Sequence, residues 1–275
     1  GAFSKKQAAI TKACGLNQNV FEVEWGQAIT ADFVDGVLAR GNYDLVTVVF
    51  NETSTGVMNP LEEIGAVVKK YPDVLLMVDA VSGMMGAPIK VDEWGVDMAL
   101  ASVQKAWALP PGFAVTSLSD RALERSRSIP DSQKGFYFDF VRMHKAGEKS
   151  ETPVTPSIPH LYGLSKQLDR IKAEGLENRF ARHKEMANRV REWGKDRFGL
   201  FAQSGYESDT LTCFGNKAGI DLIALASEMK SNNYLISGGY GDLKGKTFRL
   251  AHMGDLQMED INDVLAVLDE VIESL

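Results

Sequence analysis

The sequence predicts an α/β fold: a mostly parallel sheet flanked by helices, followed by a smaller α+β C-terminal domain. Three observations carry this. Short apolar runs at Leu45 to Phe50, Val74 to Val78 and Met98 to Ala101 are bounded by Gly, Pro and Asp, as strands buried on both faces of a parallel sheet are. Stretches with apolar residues at helical spacing stand between and around these runs. The length of 275 residues suits two domains at ~100–200 residues each. The division falls near the end of a helix at Ile158 to Ala173, giving a large domain over 1–172 and a small one over 173–275.

Taken in order, Gly1 to Ser4 reads as a loop entering a helix, with Ser4 as N-cap and Gly15 as its stop. Val20 to Trp25 alternates apolar and acidic residues and reads as a strand. Thr30 caps a helix running to Arg40, with Phe33, Val34, Val37 and Leu38 on one face and Gly41 beyond its end. Leu45 to Phe50 is a buried strand whose exit loop, Asn51 to Val57, lies at the carboxyl rim. Pro60 opens a helix to Lys70 with Leu61, Ile64, Val67 and Val68 as its buried stripe. The next strand ends in Asp79, and Trp94 and Val96 cover the sheet before the strand that leads to Lys105. Phe113 to Leu118 follows a Pro-Pro-Gly turn closely enough to be an antiparallel neighbour. Ser119 to Arg127 is a short helix, and Phe136 to Glu151 is a long connection without a period.

Thr152 to Pro156 stiffens the chain ahead of the helix at Ile158 to Ala173. Leu176 to Phe198 is a long amphipathic helix with Phe180, Met186, Val190 and Trp193 at helical spacing, its basic residues reading as a solvated face. Leu211 to Phe214 is a strand and Asp221 to Lys230 a helix. Ser237 to Gly241 is a glycine-rich stretch that suits a hairpin-like turn better than a phosphate loop. Thr247 to His252 is a strand with Arg249 pointing opposite to Phe248 and Leu250. Met258 to Leu275 closes the chain as a helix with Ile261, Val264, Leu265, Leu268 and Ile272 inward.

A net charge of −7 argues against a nucleic-acid surface, which needs a basic stripe. No apolar run approaches the ~18 residues of a membrane span, and the opening residues carry no signal-peptide pattern. The two cysteines, Cys14 and Cys213, are far apart in dissimilar contexts, which suits a reduced, cytoplasmic protein. His160 and His252 stand alone, without metal-ligand spacing.

Ligands of parallel sheets bind outside the carboxyl ends of the strands, so Asp79 and Lys105 emerge side by side at one rim. A carboxylate against a pyridine nitrogen keeps it protonated and makes the ring an electron sink, and a lysine amine forms an imine with the ring's aldehyde. This is what a pyridoxal phosphate enzyme needs. An isolated Asp also caps turns, and an isolated Lys is commonly solvated. Lys105, however, stands between Val103, Ala106 and Trp107 ahead of the rigid Leu109-Pro110-Pro111-Gly112 turn, a poor setting for a solvated lysine.

The strings Asn51-Glu52-Thr53-Ser54-Thr55-Gly56-Val57, Val78-Asp79-Ala80-Val81-Ser82 and Ser102-Val103-Gln104-Lys105-Ala106, with Pro110-Pro111-Gly112, resemble the class V aminotransferases. Within them the alanine–glyoxylate and serine–pyruvate group is most similar. The resemblance implies fold type I with pyridoxal 5′-phosphate bound as an imine on Lys105 and Asp79 at the ring nitrogen. It also implies that Thr53 bonds the ring oxygen, although turns are rich in such residues anyway. Val81 packs on the ring or simply in the core. Thr155 reaches the cofactor phosphate of a partner subunit in a homodimer, or caps a helix. Arg249 holds the substrate α-carboxylate, or points outward from its strand. Gln104, beside Lys105, bonds the phosphate.

The implied reaction moves the amino group of a small amino acid, alanine or serine, to glyoxylate or pyruvate. The family's Gly/Ser-rich phosphate turn, which precedes Gly-Ala-Phe-Ser, is expected to be missing from this chain. Two alternatives remain open: a cysteine desulfurase-like lyase, which needs a mobile thiolate, and a cofactor-free fragment with a structural role.

Overall fold

The computed structural model describes residues 1–275. The chain opens with α1 (Ala2–Ala13) and α2 (Ala31–Leu38), then enters β1 (Leu45–Val49) and a small hairpin of β2 (Asn51–Glu52) and β3 (Val57–Met58). Next come α3 (Leu61–Val68), β4 (Leu75–Asp79), α4 (Val91–Trp94), β5 (Met98–Ser102) and β6 (Ala114–Leu118). Helices α5 (Asp120–Ser128), α6 (Asp131–Lys134), α7 (Phe140–Gly147), α8 (Ile158–Glu174) and α9 (Leu176–Phe198) follow. The last part comprises β7 (Leu211–Phe214), α10 (Leu222–Ser231), β8 (Ser237–Gly238), β9 (Phe248–Ala251) and α11 (Met258–Ser274).

The main sheet has the order β1-β4-β5-β6. The first two pairings are parallel, and β5 pairs antiparallel with β6, as the tight Pro-Pro-Gly turn predicts. Its core gathers Val48, Leu76, Val78 and Ala99 of the sheet with Leu38, Leu61 and Ile64 of the helices above. A second sheet of order β7-β9-β8 lies with α9, α10 and α11 around Met186, Phe214, Phe248 and Leu265. No helix is long and apolar enough to cross a membrane.

Several helix starts follow directly from side-chain chemistry. Thr30, Ser119 and Asp221 each accept hydrogen bonds from the free N–H groups of the first turn, at 3.3, 3.1 and 2.9 Å for the shortest in each case. Four readings are corrected. Ser4 lies inside α1, whose N-cap is Gly1, and its hydroxyl donates to Glu52 instead. Val20 to Trp25 forms no strand: the alternation is present, but no ladder runs beside it, and Val20 stays 53% exposed. β1 is an edge strand, so Leu45 at its start is exposed. Phe136 to Glu151 contains α7, set by Asp139 accepting from the N–H groups of Val141 and Arg142; α7 buries no residue fully, so it leaves no apolar period.

Candidate active site

Asp79 is the last residue of β4 and pairs in register with Val49 and Leu100. β5 continues past Leu100 to Ser102 and then turns back to β6, and that turn carries Lys105. Leu109 N–H donates to Val103 O at 3.0 Å and Ala108 N–H to Lys105 O at 2.9 Å, which fixes the turn. The acid and the amine thus leave neighbouring parallel strands at the same rim, as the sequence predicts.

Asp79 Oδ1 accepts the Val81 N–H at 3.0 Å, and the carboxylate pairs with no cation. Burial pushes its pKa up, and the negative charge of Glu52 adds to that. Lys105 is half-buried, and its Nζ makes no hydrogen bond and no ion pair. Burial lowers its pKa first, and the charge of Arg249 lowers it further. Arg249 is held by two bonds from Nε and Nη2 to Gly238 O, at 3.1 and 2.9 Å, and one from Nη1 to Thr53 O at 3.2 Å. It faces no carboxylate partner within ion-pair distance, and its guanidinium carbon lies 5.9 Å from the Tyr240 ring, which stacks on Phe3.

The Thr53 hydroxyl donates to Ser82 Oγ at 2.8 Å, so the exit loop after β1 is tied to the turn after Asp79. Ser82 donates in turn to Asn51 O at 2.9 Å. Val81 sits half-buried in the same turn. Gln104 is exposed, and its side-chain oxygen accepts from the Ser102 hydroxyl. Thr155 is exposed ahead of α8 and bonds to none of the other predicted residues. The structure therefore gathers Asp79, Val81, Thr53, Lys105 and Arg249 at one rim and leaves Thr155 outside it.

Glu52, Ser82, Arg179 and His183 escape the sequence reading. Glu52 is buried, which raises its pKa. Hydrogen bonds from Ser54 and Ser4 outweigh that and hold it ionised. It accepts from Phe3 N and Ser4 N at 3.3 and 2.9 Å, anchoring the start of α1 at this rim. Arg179 and His183 lie buried on α9, contrary to the expected solvated face for its basic residues. No spacing rule flags any of these, because each also has a partner distant in sequence: Ser4 for Glu52, Thr53 for Ser82, Ala106 for Arg179 and Gly254 for His183.

The residues present fit a pyridoxal ring. A desolvated carboxylate without a cation suits a protonated ring nitrogen, and an unpaired amine beside an unpaired guanidinium suits anionic groups between them. The thiol alternative fits poorly. Cys213 is buried against Ser54 O, and burial pushes its pKa up to about 11, while Cys14 is exposed at the end of α1. Cys213→Ala is expected to leave amino-group transfer within about twofold of wild type and to change no sulfide release from cysteine, measured side by side.

An open, mostly parallel sheet with this acid, amine and guanidinium at its carboxyl rim defines an α/β enzyme of the pyridoxal phosphate type. Residues 4–197 match the model of the aminotransferase class-V family, and the chain belongs to that family, whose members are pyridoxal-phosphate-dependent. An uncharacterized aminotransferase of Methanocaldococcus jannaschii is 36% identical over all of this chain and 72% of its own length. A serine–glyoxylate aminotransferase of Arabidopsis thaliana is 31% identical over all of this chain and 70% of its own. The solved alanine–glyoxylate aminotransferase from a Nostoc species superposes with a TM-score of 0.92 at 28% identity, covering 98% of this chain and 72% of that one.

Proposed function

We propose that this aminotransferase moves the amino group of alanine or serine to glyoxylate or pyruvate, with Lys105 as the lysine that carries the cofactor. The observation that carries the reading is the half-buried, unpaired Lys105 amine, at the rim where the adjacent strand ends in Asp79. The alanine–glyoxylate and serine–glyoxylate activities in the names of the relatives support the substrate class.

Bound pyridoxal phosphate supplies an electron sink for the charge left when the substrate's α-proton departs. Asp79 would hold the ring nitrogen's proton, and that cation would relieve the unpaired burial of its own carboxylate. With the cofactor bound, Val81 would pack on the ring face, Thr53 would offer its hydroxyl to the ring oxygen, and Gln104 would bond the phosphate. In a homodimer, Thr155 would serve the phosphate of the partner subunit's cofactor. In this reading the chain divides into a large domain over 1–172 and a small one over 173–275, with Arg249 belonging to the second.

Arg249 has five N–H donors, and three go to Gly238 O and Thr53 O. One on each terminal nitrogen remains free to donate to a carboxylate. The Lys105 amine would serve as the base and acid that moves the substrate's α-proton. Its lowered pKa raises the fraction of free amine near neutral pH.

The test loads full-length protein with cofactor and follows amino-group transfer across a panel of amino acids. Alanine or serine is expected to react fastest. Arg249→Gln is expected to raise KM for them about 10- to 100-fold, from charge-assisted bonds of about 1.5–3 kcal/mol. An unchanged KM, or no transfer from any small amino acid, would overturn the assignment.

A further inference from the structure

Arg179 has 1% of its side chain exposed, although α9 is otherwise strongly charged on its surface. Its guanidinium bonds to two different turns. Nε donates to Met85 O at 3.1 Å, in the turn that leaves β4 after Asp79. Nη2 donates to Ala106 O at 2.7 Å, the residue after Lys105. Both turns hold a non-glycine residue in the left-handed region, Met85 at φ 70° and Ala108 at φ 57°. Such backbone persists only where the surroundings over-determine it.

The guanidinium is itself held from behind, by Glu174 at 2.8 Å and Asp255 at 3.3 Å. One turn further along α9, His183 donates from Nδ1 to Arg179 O at 2.8 Å and accepts the Gly254 N–H at 3.0 Å. Gly254, at φ 81°, lies directly against the Lys105 turn: a Cβ there would stand 3.2 Å from Ala108 Cβ and 3.5 Å from Lys105 O.

We infer that Arg179 is a positioning residue that ties the turn after Asp79 to the turn bearing Lys105, fixing carboxylate and amine relative to each other and to α9. The inference rests on the roles given above to Asp79 and Lys105. A planar fork is needed because the two carbonyls lie in different turns; a single ammonium cannot serve both while also meeting Glu174 and Asp255.

The test uses the full-length protein in two assays. The first is pulse acetylation of Lys105 without cofactor across a pH series, read by mass spectrometry. The second is kcat and KM for amino-group transfer. Arg179→Lys keeps the charge and loosens the fork. It is expected to raise the Lys105 labelling midpoint by about one pH unit, as the amine regains water. It is also expected to lower kcat about tenfold or more with KM little changed. Arg170→Ala, which removes a 2.8 Å pair to Asp255 but touches neither turn, is expected to leave both readouts as in wild type. The inference is overturned if Arg179→Lys leaves midpoint and kcat unchanged, or if Arg170→Ala moves them equally. Should Arg179→Lys not fold, Asp255→Asn weakens the anchor while keeping the guanidinium, and the same outcomes decide at smaller size. A wild type without transfer activity would end the functional reading, whereas the labelling shift still tests the tie.

Discussion

Lys105→Ala is expected to lower amino-group transfer by about 100- to 10,000-fold or more, the range lost with a positioned acid–base group. The side chain has a second property that sharpens the test. Its Nζ makes no hydrogen bond and no ion pair, and it lies half-buried near another cation, Arg249. Removing it takes away repulsion and desolvation and no hydrogen bond or ion pair, so the thermal midpoint is expected to stay level or rise slightly. Activity collapsing while stability holds is the signature of a residue kept for chemistry. Rates and melting curves measured on one preparation check both halves. A variant that loses stability in proportion to activity would instead mark Lys105 as structural.

Asp79→Asn is expected to lower turnover by about 150- to 5,000-fold, because a buried ring cation left without its anion costs about 3–5 kcal/mol. Without cofactor the same change acts in the opposite sense. The Asp79 carboxyl is raised in the folded state above its ordinary value of 3.8. Below that value both states hold the proton and nothing is lost. As pH rises, the unfolded chain gives up its proton first, so stability falls until the raised folded value is passed and then stays lower. Asp79→Asn removes that loss. The cofactor-free variant is therefore expected to be the more stable one at neutral pH and to match wild type in acid. Denaturant midpoints at the two pH values read the difference. A variant less stable than wild type at neutral pH would show that the folded chain already has a partner for this charge.

Much of the site was legible because it depends on local pattern. The runs ending at Asp79 and leading to Lys105 are apolar, short and bounded by turn residues, and a parallel sheet is the structure that buries both of their faces. The direction of Arg249 was legible for a similar reason, with Phe248 and Leu250 on either side directed to the core, whereas its carboxylate-holding role came only from the resemblance. What stayed hidden depends on partners remote along the chain. Arg179 reads as one more basic residue on a charged helix until Ala106, 73 positions earlier, is folded against it. Glu52 reads as a turn residue until Ser4, 48 positions away, closes on it. Val20 to Trp25 fails in the other direction: its alternation meets the local rule for a strand, and strand formation waits on a neighbour that the rule does not contain.

The central claim is that Lys105, among all the lysines of the chain, is where the cofactor is carried. Cofactor-loaded, full-length protein reduced with borohydride fixes the pyridoxyl group covalently to the lysine it occupies, and peptide mapping by mass spectrometry then locates it. The label is expected on the peptide containing Gln104 and Lys105 and on no other. A label on a different lysine, or an unlabelled Lys105 in protein that carries the cofactor, would contradict it.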